Sequence, residues 1–215
     1  MDHMVRTLVI PGYRGSGPGH WQDHFLRAEA GALLVEQDDW DRPVLADWLH
    51  RLEAALMEHP HNVLVGHSLG ALLIAHLADR PAAAHVVGAL MVAPADGARM
   101  ARADAAFASF ADMPTARLPF PSILVASRDD PYMSFAASRS FAASWGAALV
   151  DAGKAGHINI DSGHGHWPEA HVLAASLAGR AGDPRREAIP IGGPFPYQTV
   201  PYGAQFPARR QAQGV

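Results

Sequence analysis

The sequence contains no cysteine, which excludes a disulfide framework, a thiol nucleophile and a thiolate metal site together. It has no stretch of about 18 apolar residues of the kind that spans a bilayer. Nor does it have a run of Lys and Arg. With 17 Lys and Arg against 21 Asp and Glu, the formal net charge is -4, so no basic surface is available to hold nucleic acid. The opening MDHMVRTLVIPG lacks the long apolar segment of a secretory signal, and a cytoplasmic location is the expectation. Charged residues make up only 18% and hydrophobic residues 49%, the balance of a chain that buries a core. At 215 residues, that core fills one full-sized domain.

What is present is a series of short apolar runs separated by helix-length segments. Residues 5–10 (VRTLVI) end at Pro11-Gly12 and read as a buried strand. A helix is expected over about 20–30, then a strand over 32–37. Pro43 suits the first turn of the next helix, which runs to about Glu58 with Val44, Trp48, Leu52 and Leu56 on one stripe. Residues 63–66 are the third strand and 69–78 its following helix. Further strands are expected at 86–93, 121–127 and 148–152, with helices at about 135–145 and 168–177. This order implies an α/β fold: a three-layer α/β/α sandwich around a mainly parallel six-stranded sheet, with little or no cap. The domain is expected to occupy residues 1–180. Residues 181–215 are rich in Pro, Gly and isolated aromatics, and form no long helix or central strand. Phe195, Tyr197, Tyr202 and Phe206 are apolar anchors along this tail, which is a candidate route to a homo-oligomer.

Residues 62–78, NVLVGHSLGALLIAHLA, interrupt an apolar run with Gly, His, Ser and Gly, then resume it as a helix. A plain βα turn needs at most one glycine. Gly66-His67-Ser68-Leu69-Gly70 fits the G-x-S-x-G nucleophile elbow, in the strand-turn-helix setting that the motif requires. The serine must occupy a strained turn so that its hydroxyl stands above the sheet, and glycines two before and two after it remove the clashes. The helix that begins after Ser68 aims amides at developing negative charge.

A serine nucleophile needs a base, and the base an orienting carboxylate. The loop after the fifth strand, SRDDPY, offers Asp129 and Asp130. The loop after the sixth, GKAGHIN, offers His157. The order Ser, Asp, His and the placement at strand ends both agree with a triad. PGYRGSGPGHWQ, DWDRP, VGHSLG, ASRDDPY, AGHIN and GHGHWPE together resemble the α/β-hydrolases, and more narrowly the YdeN-like, retinoblastoma-binding-protein-nine-like small serine hydrolases. The resemblance covers residues 8 to 170. It implies Ser68 as nucleophile, Asp130 as the triad acid and His157 as the base.

Two amides should face the oxyanion of acyl transfer. One is that of Leu69, directly after the nucleophile. The other is assigned to Tyr13 in the loop after the first strand, whose ring either walls the pocket or packs structurally. His67 is read as a spacer packed under its loop. His20 and His24 are spaced i, i+4 as on a metal-binding helix face, but nothing of matching spacing completes such a site, so neither metal nor cofactor is expected. His164 and His166 lie in a glycine-rich loop that packs on the domain. Residues 94–120 are too few for a large lid. Met100, Phe107, Phe110 and Met113 either roof the pocket thinly or cover the sheet.

The expected substrate is a small carboxylic ester with a short acyl chain. Amides, peptides and thioesters need the same constellation with a different leaving group. A partner-binding protein that keeps a hydrolase fold is the reading from another class, disfavoured because all three triad residues are present. A dehalogenase would carry Asp where this chain has Ser68.

Overall fold

The computed structural model describes residues 5–178; the tail and its aromatic anchors lie outside the described residues. In chain order the elements are β1 (Arg6–Ile10), α1 (Trp21–Ala28), β2 (Leu33–Leu34), α2 (Leu45–Glu58), β3 (Asn62–His67), α3 (Leu69–Ala75), β4 (Val86–Val92), α4 (Gly97–Ala103), β5 (Ser122–Ala126), α5 (Phe135–Trp145), β6 (Ala148–Asp151) and α6 (Glu169–Ala178), with short 3-10 turns at Pro81–His85, Ala105–Phe110 and Ile160–Ser162. Every residue of β3 and β5 is buried. That is why these strands read as unbroken apolar runs rather than alternating ones.

The sheet order is β2-β1-β3-β4-β5-β6, and every pairing is parallel. Side-chain alternation sorts each strand onto two core layers. Leu8, Ile10 and Leu64 join one layer with Trp48 and Leu52 of α2, Leu72 of α3 and Trp145 of α5. Val9, Val63 and Val65 join the other with Trp21 and Phe25 of α1 and Leu173 and Leu177 of α6. The fold is therefore a three-layer α/β/α sandwich. Strand order reverses between β1 and β3, and a crevice opens at such a switch beyond the carboxyl ends of the strands.

Some boundaries differ from the sequence reading. The second strand shrinks from 32–37 to two residues, because it is an edge strand that pairs with β1 alone. α2 starts after Pro43, with Val44 as its N-cap and 44% exposed; Leu49 takes the place expected for Val44 among the buried residues, since a cap residue does not yet follow the helical stripe. α3 stops at Ala75, and residues 76–78 continue as a turn. Among the described residues no helix is long and apolar enough to cross a membrane.

Candidate active site

The turn between β3 and α3 is tight for steric reasons. A Cβ at Gly66 would lie 2.9 Å from the Ala71 backbone, and one at Gly70 would lie 2.1 Å from the carbonyl oxygen of Ile10. Only with both positions bare can α3 fold back against β1. Ser68 between them has φ 54° and ψ -120°, a conformation a non-glycine residue keeps only when its surroundings enforce it. They do so through hydrogen bonds: the Ser68 amide donates to Val92 at the end of β4 (3.1 Å), and its carbonyl accepts from Ala71, Leu72 and Ala95.

The loop after β1 closes on this turn. A Cβ at Gly12 would stand 2.8 Å from Ser68 Cβ and 3.1 Å from the Leu69 nitrogen. The amides of Tyr13 and Leu69 flank this contact. Gln22, which the sequence reading passed over, stitches the crevice. It is fully buried, and its amide nitrogen donates to the carbonyls of Ile10 (3.3 Å) and Val65 (3.0 Å) while its oxygen accepts from Ser16 (2.6 Å). Its only sequence signal was membership of the HWQ piece.

His157 lies across the crevice. Its Nε2 is 2.9 Å from Ser68 Oγ, and its Nδ1 is 2.9 and 3.0 Å from the two carboxylate oxygens of Asp130. An ionised carboxylate only accepts, so Nδ1 carries the proton and Nε2 is left to accept from the serine hydroxyl. Both side chains are buried, at 8% and 3% exposure. Asp130 is further fixed by the Tyr132 amide (2.8 Å), and the Tyr132 ring lies 4.4 Å from the imidazole of His157; the sequence reading missed this aromatic.

The adjacent Asp129 turns the other way. It accepts from Ser127 Oγ (2.7 Å) and from the Gly156 amide (2.8 Å), and these bonds, Ser127 foremost, hold its carboxyl below the usual range. Ser127 also accepts from the Ala155 amide (2.9 Å). The pair staples the end of β5 to the loop that carries His157. In that loop Gly156 has φ 56° and the buried Ile158 φ 50°, so His157 sits between two residues in the left-handed region.

A layer of histidines lies beneath. His67 Nε2 is 2.9 Å from the carbonyl oxygen of His157, a bond that a spacer role did not foresee. Ring centroids are 4.9 Å apart for both His67–His157 and His20–His67. Burial, and then the charge His157 would carry, pushes His67 well below the ordinary histidine value and His20 down to about 4. His164 is also lowered by burial, and it packs edge-on to Trp167 at 6.2 Å. His20 is the N-cap of α1, its Nδ1 accepting from the Gln22 amide (3.1 Å). His24 meets the ring of the exposed His166 instead.

The segment 94–120 divides between the two roles considered for it. Phe110 is fully buried and packs edge-on to Trp48, so it covers the sheet. Phe107 packs edge-on to Tyr13 at 5.0 Å, beside the crevice. Met100 and Met113 pack against the core layer of α2 and α3, and Met113 sulfur accepts from the Gly97 amide (3.2 Å).

The family profile described as serine hydrolase matches residues 7–176. The chain belongs to the serine hydrolase family. A YdeN-like hydrolase from Pectobacterium atrosepticum is 30% identical, with 81% of this chain and 92% of that one covered and a TM-score of 0.71. The ydeN gene product of Bacillus subtilis is 22% identical over 81% and 98%, with a TM-score of 0.65. With esterase 2 of Thermogutta terrifontis, in a structure phosphoramylated by tabun, identity is 16% over 85% and 86% and the TM-score 0.61; here the likeness is one of fold. No curated protein sequence matches the chain significantly. The chain is thus a YdeN-like small serine hydrolase with the α/β-hydrolase fold.

Proposed function

We propose that this hydrolase cleaves carboxylic esters of short acyl chain through Ser68, His157 and Asp130. The observation that carries the reading is the unbroken file from Ser68 Oγ through the His157 ring to the buried Asp130 carboxylate, each step at 2.9 Å. Ser68 Oγ attacks the ester carbonyl as its proton passes to His157 Nε2. Asp130 keeps the ring in the correct tautomer and stabilises the imidazolium that forms. The tetrahedral oxyanion faces the amides of Tyr13 and Leu69, donors fixed before the charge develops. His157 returns the proton to the departing alkoxide, and a water repeats the sequence on the acyl-enzyme. The shallow cover near Phe107 favours small acyl groups. A cytoplasmic setting, in which the substrate is a small molecule, is part of the proposal.

The test is labelling by a fluorophosphonate, which reports an activated serine without knowledge of the substrate. Wild type should label and hydrolyse p-nitrophenyl esters with rates that fall as the acyl chain lengthens. Ser68→Ala should do neither while melting as wild type does. Labelling retained by folded Ser68→Ala would sink the assignment, and a preference for long chains would overturn the substrate class.

A further inference from the structure

The base is held by more than its carboxylate. His157 stands between Gly156 at φ 56° and Ile158 at φ 50°. A β-branched residue in that region is strained, and such a conformation persists only where neighbours over-determine it. On the amino side the loop is tied by Asp129 to Gly156 and by Ser127 to Ala155. On the carboxyl side, the peptide that joins His157 to Ile158 has its carbonyl 2.9 Å from His67 Nε2. A carbonyl accepts only, so Nε2 must carry the ring proton. His67 is itself fixed: it is 5% exposed, it ends β3, and the rings of Trp21 and His20 pack on it. It directly precedes Ser68. One buried, neutral side chain therefore links the backbone that presents the nucleophile to the backbone that presents the base.

We propose that His67 is a positioning residue, whose Nε2–H sets the Ser68–His157 distance by clamping the His157 carbonyl. The inference rests on the ester-hydrolase reading, because it needs His157 to be the base. Misplacing reacting groups by a fraction of an ångström lowers turnover without changing affinity. The signature is therefore a fall in kcat at constant KM.

Three replacements separate hydrogen bonding from packing. His67→Phe keeps the ring and loses the donor. His67→Gln places an amide N–H where Nε2 stands, whereas His67→Asn reaches only to the Nδ1 position. On p-nitrophenyl acetate, His67→Phe should lose about tenfold in kcat, the order of one net hydrogen bond, with KM unchanged. His67→Gln should recover to within about threefold and His67→Asn should not. The nitrogen-15 spectrum of the wild type should show the His67 proton on Nε2 at pH 7. If His67→Phe does not fold, the Gln and Asn variants decide alone. Equal losses in Gln and Asn, a proton on Nδ1, or wild-type kcat in His67→Phe would overturn the clamp. Absence of labelling and turnover in wild type would instead strike the underlying reading.

Discussion

The turn that carries Ser68 and the loop that carries His157 are two strained backbones facing each other, and they are held mainly by different physics. At the turn after β3 the constraint is hard contact. Gly66 and Gly70 lie so close to the backbones of Ala71 and Ile10 that no side chain fits, and the bonds of Ser68 to Val92 and Ala95 add to that contact. At the loop after β6 the constraint is a set of hydrogen bonds from distant elements: Asp129 and Ser127 beside β5, His67 at the end of β3, and Asp130 on the ring itself. Steric constraints fail all at once. Polar staples can be removed one at a time, so the position of His157 is graded where that of Ser68 is not.

Breaking the steric side should have the largest effect. In Gly70→Ala the new Cβ would sit 2.1 Å from the Ile10 oxygen and 2.5 Å from the Pro11 oxygen, and neither is a flexible side-chain end. Overpacking of this kind costs about 3 kcal/mol or more, a fall in Tm of roughly 10 °C. Activity should go with it, because α3 must shift away from β1. Gly153→Ala, in the stretch leading to His157, is the counterpart. Nothing lies within 4 Å of its added Cβ, although φ is 68°, so only the conformational cost of about 1 kcal/mol applies. Thermal unfolding and ester turnover of the two variants measure the contrast. Similar losses in both would show that the turn is not uniquely tight.

On the polar side, the two adjacent acids should behave unlike each other. Asp130→Asn removes the acceptor that fixes the His157 tautomer, and kcat should drop by about three to four orders of magnitude with little change in Tm. Asp129→Asn keeps an oxygen for Ser127 and Gly156 to bond, so it should cost about 1 kcal/mol or less in stability and a few-fold at most in rate. Steady-state kinetics beside melting curves decide it. The opposite ranking would reassign the acid.

How much of this was legible follows the same division. The elbow was readable because its steric demands, wherever they come from, are answered within five consecutive residues, and glycine is the direct answer to them. The strands were readable as apolar runs because both sheet faces are covered. Residues whose task is set by partners far along the chain were not. Gln22 looks like any helical polar residue until β1 and β3 present it two carbonyls. His67 looks like a spacer until the loop 90 positions later brings it a third. Between Asp129 and Asp130 composition offered no choice, and the family resemblance and the proline after Asp130, which restricts its backbone, favoured one; in the fold, Asp129 faces Gly156 while Asp130 faces the imidazole. The strand expected over residues 32–37 was overcalled beyond Leu33–Leu34, because an edge strand pairs only as far as its one neighbour reaches.

A third contrast concerns the histidine layer beneath His157, and it is a dependence on pH. Burial, followed by the influence of His157, lowers His20 from 6.5 to about 4, with Asp23 opposing and His164 assisting. Between those two values the unfolded chain binds a proton at this position and the folded chain does not. Stability is therefore full above about pH 6.5 and declines as pH falls toward 4. A difference of about 2.5 units corresponds to about 3 kcal/mol at most, or a drop in Tm of roughly 6–12 °C across the window. The lowered carboxylates Asp23, Asp38, Asp129 and Asp151 release most of their contribution below 3.8, so they add little to the change down to about pH 4.5. His67, His76 and His164 are also lowered and leave a residual slope. His20→Asn isolates one member: its oxygen can still cap α1 by accepting from Gln22, as His20 Nδ1 does, but it does not titrate. The variant should match wild type at pH 7 and lose distinctly less Tm on going to about pH 4.5. Parallel decline of the two proteins would show that His20 is protonated in the folded state, and that the polar layer beneath the base is wetter than its packing implies.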